Sequence, residues 1–293
     1  MLKQYQKITF PVLLFLVFSA ILYGIFVEPN RVVVKRIIIR DDHLFNAWHG
    51  LRIVQVSDLH IIKIGIREKL AIRKIAEIAP DIVCVTGDLA QWGSSYSEVV
   101  RFLKSLKSRY GVYVVLGDSD MSTGRVRCFF CHRSGSIHKV RKNPVFLRNN
   151  WRDVKIQGNR IIRIFGVSPE MKPDEFYAFW KKAIEAALSD KRIPILVLSH
   201  FSSLWKLVPA DEHVLWLSGD THGGQVWLPE FLWPIVFRGK DYEHLRGLFT
   251  SGRGKWLYVN QGLGTTAEFP LRIGVPPEIT VITFEPGQLK RPR

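Results

Sequence analysis

The chain has 293 residues, of which 47% are hydrophobic, and its formal net charge is +16. This hydrophobic content is enough for one large or two small folded domains. No internal repeat or low-complexity tract is present, and three cysteines are too few for a disulfide-stabilised scaffold. The positive charge favours an anionic partner such as a phosphate ester, an acidic lipid surface or nucleic acid.

The three cysteines favour a reduced compartment. Cys84 lies in an apolar run, as a small core residue would. Cys128 and Cys131, followed by His132, match the short pattern of c-type haem attachment and could also suggest a zinc knuckle. Neither is favoured, because so short a match is unspecific and no second Cys or His pair follows at zinc-finger spacing.

An uncharged apolar run from Ile8 to Val27 is long enough to cross a bilayer as a helix. Lys3 and Lys7 precede it and further basic residues follow, so the positive-inside bias modestly places the rest of the chain in the cytoplasm. The alternative is a cleaved signal peptide. The small residues Ser19 and Ala20 fall inside the apolar run, which favours an uncleaved anchor.

Composition and pattern divide the chain into four parts. Residues 1–30 are expected to form the membrane anchor, and residues 31–50 a linker with an edge strand in the β-branched run from Val32 to Arg40. Residues 51–285 are expected to form the main folded domain, and residues 286–293 a basic tail.

Strands alternate with helices in the first half of the main domain. Apolar residues recur at helical spacing from Arg67 to Ala79, where Pro80 ends the helix. A second apolar stripe runs from Val99 to Leu106. The order strand, helix, strand, helix, strand is typical of parallel β-α-β units.

The second half is predicted to hold a second sheet and its closing strands. A helix is expected from Pro173 to Ser189, because its apolar residues recur at helical spacing. Short strands of the second sheet are expected at Val145 to Leu147, Val154 to Gln157 and Ile161 to Val167, and closing strands at Lys255 to Asn260 and Ile279 to Phe284.

Two segments could contact a ligand or a membrane. Met121 to Asn143 is basic and could hold phosphates through Arg125 and Arg127, although a solvated insertion explains it equally well. Trp227 to Phe237 is aromatic and interrupted by prolines, which favours a loop. That loop could enter a membrane interface or be buried against the second sheet.

Five apolar runs end in acidic or histidine residues. In an open α/β sheet, ligands bind beyond the carboxyl ends of the strands, so these side chains predict a shared metal centre. The five runs and the residues that follow them are Leu51 to Val56 with Asp58 and His60, Asp81 to Thr86 with Asp88, Gly111 to Leu116 with Asp118, Ile193 to Ser199 with His200, and His213 to Leu217 with Asp220 and His222.

These motifs resemble, in order and context, those of the calcineurin-like metallophosphoesterases over roughly residues 51–285. The segments Gln225 to Pro229 and Leu257 to Gly264 are similar to those of a membrane-anchored bacterial branch that includes UDP-2,3-diacylglucosamine pyrophosphohydrolases. The resemblance implies an α/β fold, a four-layer αββα sandwich, here preceded by one N-terminal transmembrane helix. It also implies a single-pass protein of the bacterial inner membrane with its catalytic domain on the cytoplasmic side.

The resemblance further implies two divalent cations. Asp58, His60 and His222 would hold the first metal, and Asp88 would bridge to the second. Asp118, His200 and Asp220 would complete the second site. Catalysis is expected to involve Asp88, Asp118 and Asp120, and the substrate is expected to contact Arg125 and Arg127.

Three positions depart from the family pattern. Asp118 stands where Asn is usual and Asp220 where His is usual, so the second site is more anionic and should favour Mn²⁺ or Mg²⁺. Ser119 stands where many relatives have the His that protonates the leaving group. Because a serine hydroxyl is a poor acid, its presence favours a substrate whose leaving group is already stable as an anion, such as a pyrophosphate.

The sequence therefore predicts a two-metal phosphoesterase that acts on a phosphorylated lipid or sugar nucleotide at a membrane, with UDP-2,3-diacylglucosamine in lipid A biosynthesis as the favoured substrate. The alternatives are a phosphodiesterase acting on another membrane lipid phosphate and a non-catalytic, membrane-anchored binding module. Nucleic acid is not an expected partner, because only the charge suggests it. The sequence gives no indication of the oligomeric state.

Overall fold

The computed structural model describes residues 2–91, 94, 96–121, 143–167, 186, 193–208, 212–237, 242–251, 254–266 and 269–287. The strands within these ranges form two six-stranded sheets. The helices are α1 Leu2–Leu22, α2 Asp42–Trp48, α3 Ile66–Ile78, α4 Tyr96–Ser105, α5 Asp118–Met121 and α6 Trp233–Val236. The strands are β1 Val33–Arg40, β2 Ile53–Val56, β3 Ile82–Thr86, β4 Val112–Val115, β5 Val145–Phe146, β6 Asn150–Lys155, β7 Ile161–Gly166, β8 Ile195–Leu198, β9 Val214–Ser218, β10 Gly247–Thr250, β11 Lys255–Val259 and β12 Glu278–Glu285.

The first sheet has the order β1-β12-β2-β3-β4-β5, and the second has the order β10-β11-β9-β8-β7-β6. Strands β2 to β5 run parallel, and β12 lies antiparallel to β2 and parallel to β1. In the second sheet β7, β8, β9 and β11 run parallel, with antiparallel strands at both edges. Parallel strands of one sheet end at the same edge, so the residues that follow them are brought together there.

The core has three layers of side chains. One layer lies between the two sheets and joins residues such as Ile53 and Ile82 of the first sheet to Leu196 and Leu215 of the second. A second layer covers the outer face of the first sheet with α3 and α4, and a third covers the outer face of the second sheet, including Trp205. Cys84 is fully buried in the layer between the sheets, as the sequence predicted.

Local sequence explains where α3 begins and ends. The Glu68 carboxylate accepts a hydrogen bond from the Gly65 backbone N–H at 2.9 Å, which satisfies one of the free donors at the helix start. Ala79, just after the helix, adopts a left-handed conformation with φ 48°. Pro80 follows and cannot continue the helix.

Residues 31–50, predicted as a linker with an edge strand, contain β1 and α2. Strand β1 is an edge strand and pairs with β12 from Val33 to Arg40. The Asp41 side chain caps α2 by accepting from the Leu44 N–H at 2.8 Å. The N-terminal apolar segment is helical: α1 continues into a π-helical turn, Tyr23–Val27, and a 3₁₀ turn, Glu28–Asn30.

The predicted α/β fold and the strands that precede the five ligand motifs are confirmed, as are both closing strands. The strand predicted at Val145 to Leu147 is present as β5, but its assignment to the second sheet was wrong, because β5 pairs with β4 at the edge of the first sheet. The second sheet instead begins with β6, which starts four residues before the predicted Val154. Trp227 to Phe237 is not entirely a loop, since Pro234 lies in the first turn of α6, where proline is tolerated.

Several predictions fall outside the described residues. One is the helix from Pro173 to Ser189, of which only Ala186 is described, and Ala186 is helical. The basic segment, apart from its ends, is also outside, and with it Cys128, Cys131, Arg125 and Arg127. The last six residues of the basic tail, from 288 on, are not described either.

Candidate metal centre

The seven predicted metal ligands lie on loops at the carboxyl ends of β2, β3, β4, β8 and β9. Asp58, His60, Asp88, His200 and His222 are buried. Asp118 and Asp220 are more accessible, with side chains 62% and 28% exposed. The centre is therefore closed on the side of the sheets and open to solvent beside these two carboxylates.

Five of these residues have backbone conformations that are unusual for side chains with a Cβ. Asp58, His60, Asp88, Asp220 and His222 have φ between 41° and 72°. Residues other than glycine rarely adopt such left-handed conformations, and where they do, the strain often marks a functional site. The surrounding structure holds these loops in a shape that directs several donor groups toward one point.

The first group consists of Asp58, His60, Asp88 and His222, whose ligand atoms all lie within 4.8 Å of one another. The Nε2 atoms of His60 and His222 are 3.1 Å apart. His60 Nε2 is also 3.2 Å from Asp88 Oδ2, and His222 Nε2 is 3.6 Å from Asp58 Oδ1. Imidazole nitrogens and carboxylate oxygens converging in this way form a normal ligand set for a divalent cation.

The second group consists of Asp88, Asp118 and His200. His200 Nε2 lies 3.5 Å from Asp88 Oδ1 and 3.3 Å from Asp118 Oδ1. Asp220 Oδ1 is 3.9 Å from the same nitrogen, at the edge of this group. Asp88 thus presents one oxygen to each group, which is the arrangement of a dinuclear centre with a bridging carboxylate.

The hydrogen bonding of the buried donors fits metal occupancy. Within the described part of the chain, Asp58 Oδ2 and His200 Nε2 are buried and make no hydrogen bond. Leaving such groups unsatisfied costs about 1–3 kcal/mol each. His200 Nδ1 is 3.0 Å from the Thr86 carbonyl oxygen, so it carries the proton and leaves Nε2 to act as a ligand.

Electrostatics link the same residues. Burial raises the pKa of Asp58 to about 6, and the charge of Asp88 adds to this effect. Burial would also raise the pKa of Asp88, but the charges of His200 and His60 and the hydrogen bond from His60 hold it below its usual value. Burial and the neighbouring His60 keep the pKa of His222 well below its usual range, so its imidazole is neutral and available as a ligand.

Two glycines allow the ligand loops to approach each other closely. A Cβ on Gly117 would overlap the carboxylate and backbone of Asp88. A Cβ on Gly219 would overlap the side chains of Ser57 and Asp58. Small residues are therefore required at these two positions beside the ligands.

Asp120 contacts backbone rather than the two ligand groups. Its carboxylate accepts hydrogen bonds from the N–H groups of Gly117 at 2.9 Å and Leu89 at 3.0 Å. Burial raises its pKa to about 6, and the charge of Asp88 raises it further. These bonds join the loops that carry Asp88 and Asp118, so we propose that Asp120 positions ligands instead of touching the substrate.

Ser119 also contributes through its backbone. Its N–H donates to Asp88 Oδ1 at 3.1 Å and to Asp118 Oδ1 at 2.9 Å. These bonds orient the bridging carboxylate and its neighbour without any side-chain group. The position that carries a histidine in many relatives therefore still supports the second ligand group.

Sequence reasoning missed the residues that support the loop beside Asp58. Arg272 is fully buried and donates to the carbonyl oxygens of Gln261, Gly264 and Val275. The Gly264 N–H in turn donates to the Asp58 carbonyl oxygen at 2.6 Å. No motif marks Arg272 in the sequence.

Gln55 is a second supporting residue, and it could have been noticed as a polar residue inside an apolar strand. Its amide donates to Thr86 Oγ1 and the Ser218 carbonyl oxygen, which links three ligand-bearing strands.

Replacing Asp118 by the neutral Asn usual in the family tests the anionic second group. We expect Asp118→Asn to weaken Mn²⁺ binding there by about fivefold or more, because a unit charge about 4 Å away contributes about 1–4 kcal/mol between the bulk-water and near-surface limits. The first group does not contain Asp118 and should keep its metal. The measurement is the metal content per chain after dialysis against a series of Mn²⁺ concentrations. Asp153→Asn, on β6, is the control and should bind both metals as the unchanged protein does. Loss of both metals from Asp118→Asn would show that the two ligand groups do not bind metal separately.

Comparisons with known proteins agree with this geometry. The family model for calcineurin-like phosphoesterases matches residues 51–239. The uncharacterized metallophosphoesterase YkuE of Bacillus subtilis (strain 168) is 27% identical, over 90% of this chain and 89% of its own. The UDP-2,3-diacylglucosamine pyrophosphatase LpxG of Chlamydia trachomatis serovar D is 27% identical, over 88% of this chain and 92% of its own.

One solved structure, the crystal structure of TT1561 of Thermus thermophilus, matches with a TM-score of 0.45 and 12% identity, over 73% of this chain and 90% of that chain. The family match covers more than half of the 293 residues and includes all seven residues of the predicted ligand set. The chain belongs to the calcineurin-like phosphoesterases, hydrolases of phosphoester bonds, and it carries their dinuclear metal-binding cluster.

Proposed function

We propose that this protein is a membrane-anchored, two-metal phosphoesterase that cleaves the pyrophosphate of UDP-2,3-diacylglucosamine in lipid A biosynthesis. The observation that carries the proposal is the pair of ligand groups that share Asp88. The relatives named for this pyrophosphatase activity support the choice of substrate, and their similarity extends over most of both chains.

The ligand roles follow the two groups. Asp58, His60 and His222 serve the first metal, His200, Asp118 and Asp220 serve the second, and Asp88 serves both. When bound, two divalent cations supply a water nucleophile at neutral pH and stabilise the charge of an in-line displacement. The carboxylate-rich second group favours Mn²⁺, with Mg²⁺ as the alternative.

The chain's own residues fix this arrangement before a substrate arrives. The Thr86 carbonyl oxygen holds the His200 ring in one tautomer, and the Asp220 N–H donates to Asp58 Oδ1 at 3.0 Å, which ties the first group to a loop of the second. Ser119 and Asp120 hold the Asp88 and Asp118 loops, as described above. Groups fixed in this way need little rearrangement during the reaction, which lowers its barrier.

Ser119 supports a substrate with a stable leaving group. Its hydroxyl is a poor general acid at neutral pH, so an alkoxide would leave slowly. A nucleotide or a lipid phosphate leaves as a stable anion and needs no such acid. This chemistry favours pyrophosphate cleavage over hydrolysis of simple alkyl esters.

The N-terminal helix supports the membrane location. The 20 residues Pro11–Asn30 are long and apolar enough to cross a bilayer, and nearly all side chains from 11 to 27 are exposed. An exposed apolar helix of this length is stable in lipid rather than in water. We propose that it anchors the protein in the inner membrane of a bacterium, with the catalytic domain in the cytoplasm.

The test is UMP release from UDP-2,3-diacylglucosamine by the detergent-purified full chain, with Mn²⁺, with Mg²⁺ and with a chelator. We expect release with metal and none with chelator. Hydrolysis of a generic soluble diester without UMP release would refute this substrate and favour another membrane lipid phosphate. Absence of hydrolysis on every phosphoester, with less than two metals bound per chain, would favour a non-catalytic binding module.

A further inference from the structure

The membrane helix is held against the loop that borders the metal centre. The Arg272 N–H donates to the Gly24 carbonyl oxygen at 3.0 Å, and Gly24 is buried. A Cβ at Gly24 would overlap Leu271 and Ile273, so only glycine permits this contact. The turn Glu28–Asn30 also contacts α3. The catalytic domain is thereby fixed to the end of the helix rather than joined to it through a free linker.

The contact between Gly24 and Arg272 sets how deep the loop that contains Arg272 lies relative to the membrane. A helix rises 1.5 Å per residue, so about 20 residues cross the hydrocarbon core. Gly24 lies six residues before the end of the apolar span Pro11–Asn30. The residues that touch Gly24 therefore lie within about 10 Å of the end of that span.

Exposed apolar side chains occur on the loop that contacts Gly24 and on the segment hydrogen-bonded to it. The Trp227 N–H donates to the Ile273 carbonyl oxygen at 2.7 Å, and the Gln225 side chain donates to the Phe269 carbonyl oxygen at 3.2 Å. These bonds bring the segment with α6 beside the residues that contact Gly24. The apolar rim is defined as the exposed residues Ile62, Ile66, Trp227, Phe231, Ile235 and Phe269.

The apolar rim continues directly from the ligand loops. Ile62 follows the ligand His60 by two residues, and Trp227 follows His222 by five. Exposed Lys63 directly follows the rim residue Ile62, and exposed Lys69 lies three residues after the rim residue Ile66 on α3. Apolar side chains with basic neighbours are suited to a bilayer surface, where the side chains enter the acyl boundary and the lysines meet anionic headgroups.

We infer that the apolar rim inserts into the leaflet on which the catalytic domain lies, so that the metal centre opens at the lipid surface. The inference rests on the proposed membrane anchor and extends it: the anchor fixes the domain in a single orientation, and the rim lets a lipid phosphoester reach the metals without leaving the bilayer. The molecules that the apolar rim contacts are lipids, because the rim is continuous with the end of the membrane helix.

The test measures depth in vesicles of phosphatidylethanolamine and phosphatidylglycerol containing the full chain. Nitroxide labels are placed one at a time by Phe231→Cys, Ile235→Cys and Trp227→Cys in a background with Cys128→Ser and Cys131→Ser. The remaining Cys84 is buried, and burial raises its pKa, so it does not react. Trp151→Cys is the matched control, since Trp151 is an exposed tryptophan on the edge strand β6 of the second sheet.

We expect the three rim labels to collide more with oxygen than with a water-soluble nickel chelate, and the label at 151 to show the reverse. Rim labels that behave like the label at 151 overturn the inference, and labels shielded from both reagents overturn it in favour of a protein cover. A fourth label, at Phe15→Cys, separates the two proposals. Lipid exposure at 15 with water exposure at 231 refutes the rim alone, whereas water exposure at 15 refutes the anchor as well.

Discussion

Asp88→Asn is expected to reduce turnover by about 10³-fold or more, which corresponds to about 4 kcal/mol of transition-state stabilisation. The reason is that Asp88 is shared by both ligand groups, so one substitution removes a charge from both. The amide still fits the space, which limits the effect on folding. Phosphoester turnover and metal content of the purified full chain measure the result, and metal content should fall below two per chain.

Asp153→Asn is the matched control for this substitution. Asp153 is partly exposed on β6 and forms an ion pair with Arg163. Its replacement should leave turnover and metal content unchanged, because Asp153 belongs to neither ligand group. An Asp88→Asn protein that keeps two metals and loses less than tenfold in turnover would show that Asp88 does not bridge.

Arg272→Met is expected to lower the free energy of unfolding by about 3–5 kcal/mol. Arg272 is fully buried, and its guanidinium is the donor for three carbonyl oxygens of the loops on either side. Burial and the nearby charge of Arg67 lower its pKa to about 9. Methionine fills much of the space but leaves these carbonyl oxygens without a donor.

The measurement is urea unfolding of the full chain in detergent micelles with a chelator present, so that changes in metal affinity do not add to the result. Arg101→Met on α4 is the control, because Arg101 is exposed and pairs with Glu98 one helical turn away. It should change the free energy of unfolding by less than about 0.5 kcal/mol. Equal effects of the two substitutions would mean that the buried arginine is not a structural donor.

The clustering of the acidic and histidine residues could be predicted from the sequence because its signal is local. Each ligand follows an apolar strand within a few residues, as Asp58 follows β2 and Asp88 follows β3. Parallel strands place such residues at a common edge whatever the detailed packing. The strand positions were sufficient to bring the ligands together without any knowledge of the loops.

Other parts were not predictable because their determinants are distant or weak. Strand β5 has two residues, too few to show a period, and only its pairing with β4 assigns it to the first sheet. Arg272 lies in a loop without a motif, and its role depends on carbonyl oxygens up to eleven residues away. The left-handed conformations of the ligand residues could not be predicted, because aspartate and histidine adopt them more often than most residues but still in only a small minority of cases.

The position of β12 has a consequence for synthesis of the protein. This last strand lies between β1, near the N-terminus, and β2, so the first sheet is complete only when residue 285 has left the ribosome. The apolar helix emerges before β12, while β1 still lacks its partner. We therefore expect truncated chains ending before residue 278 to keep two unpaired strand edges that expose them to aggregation and proteolysis.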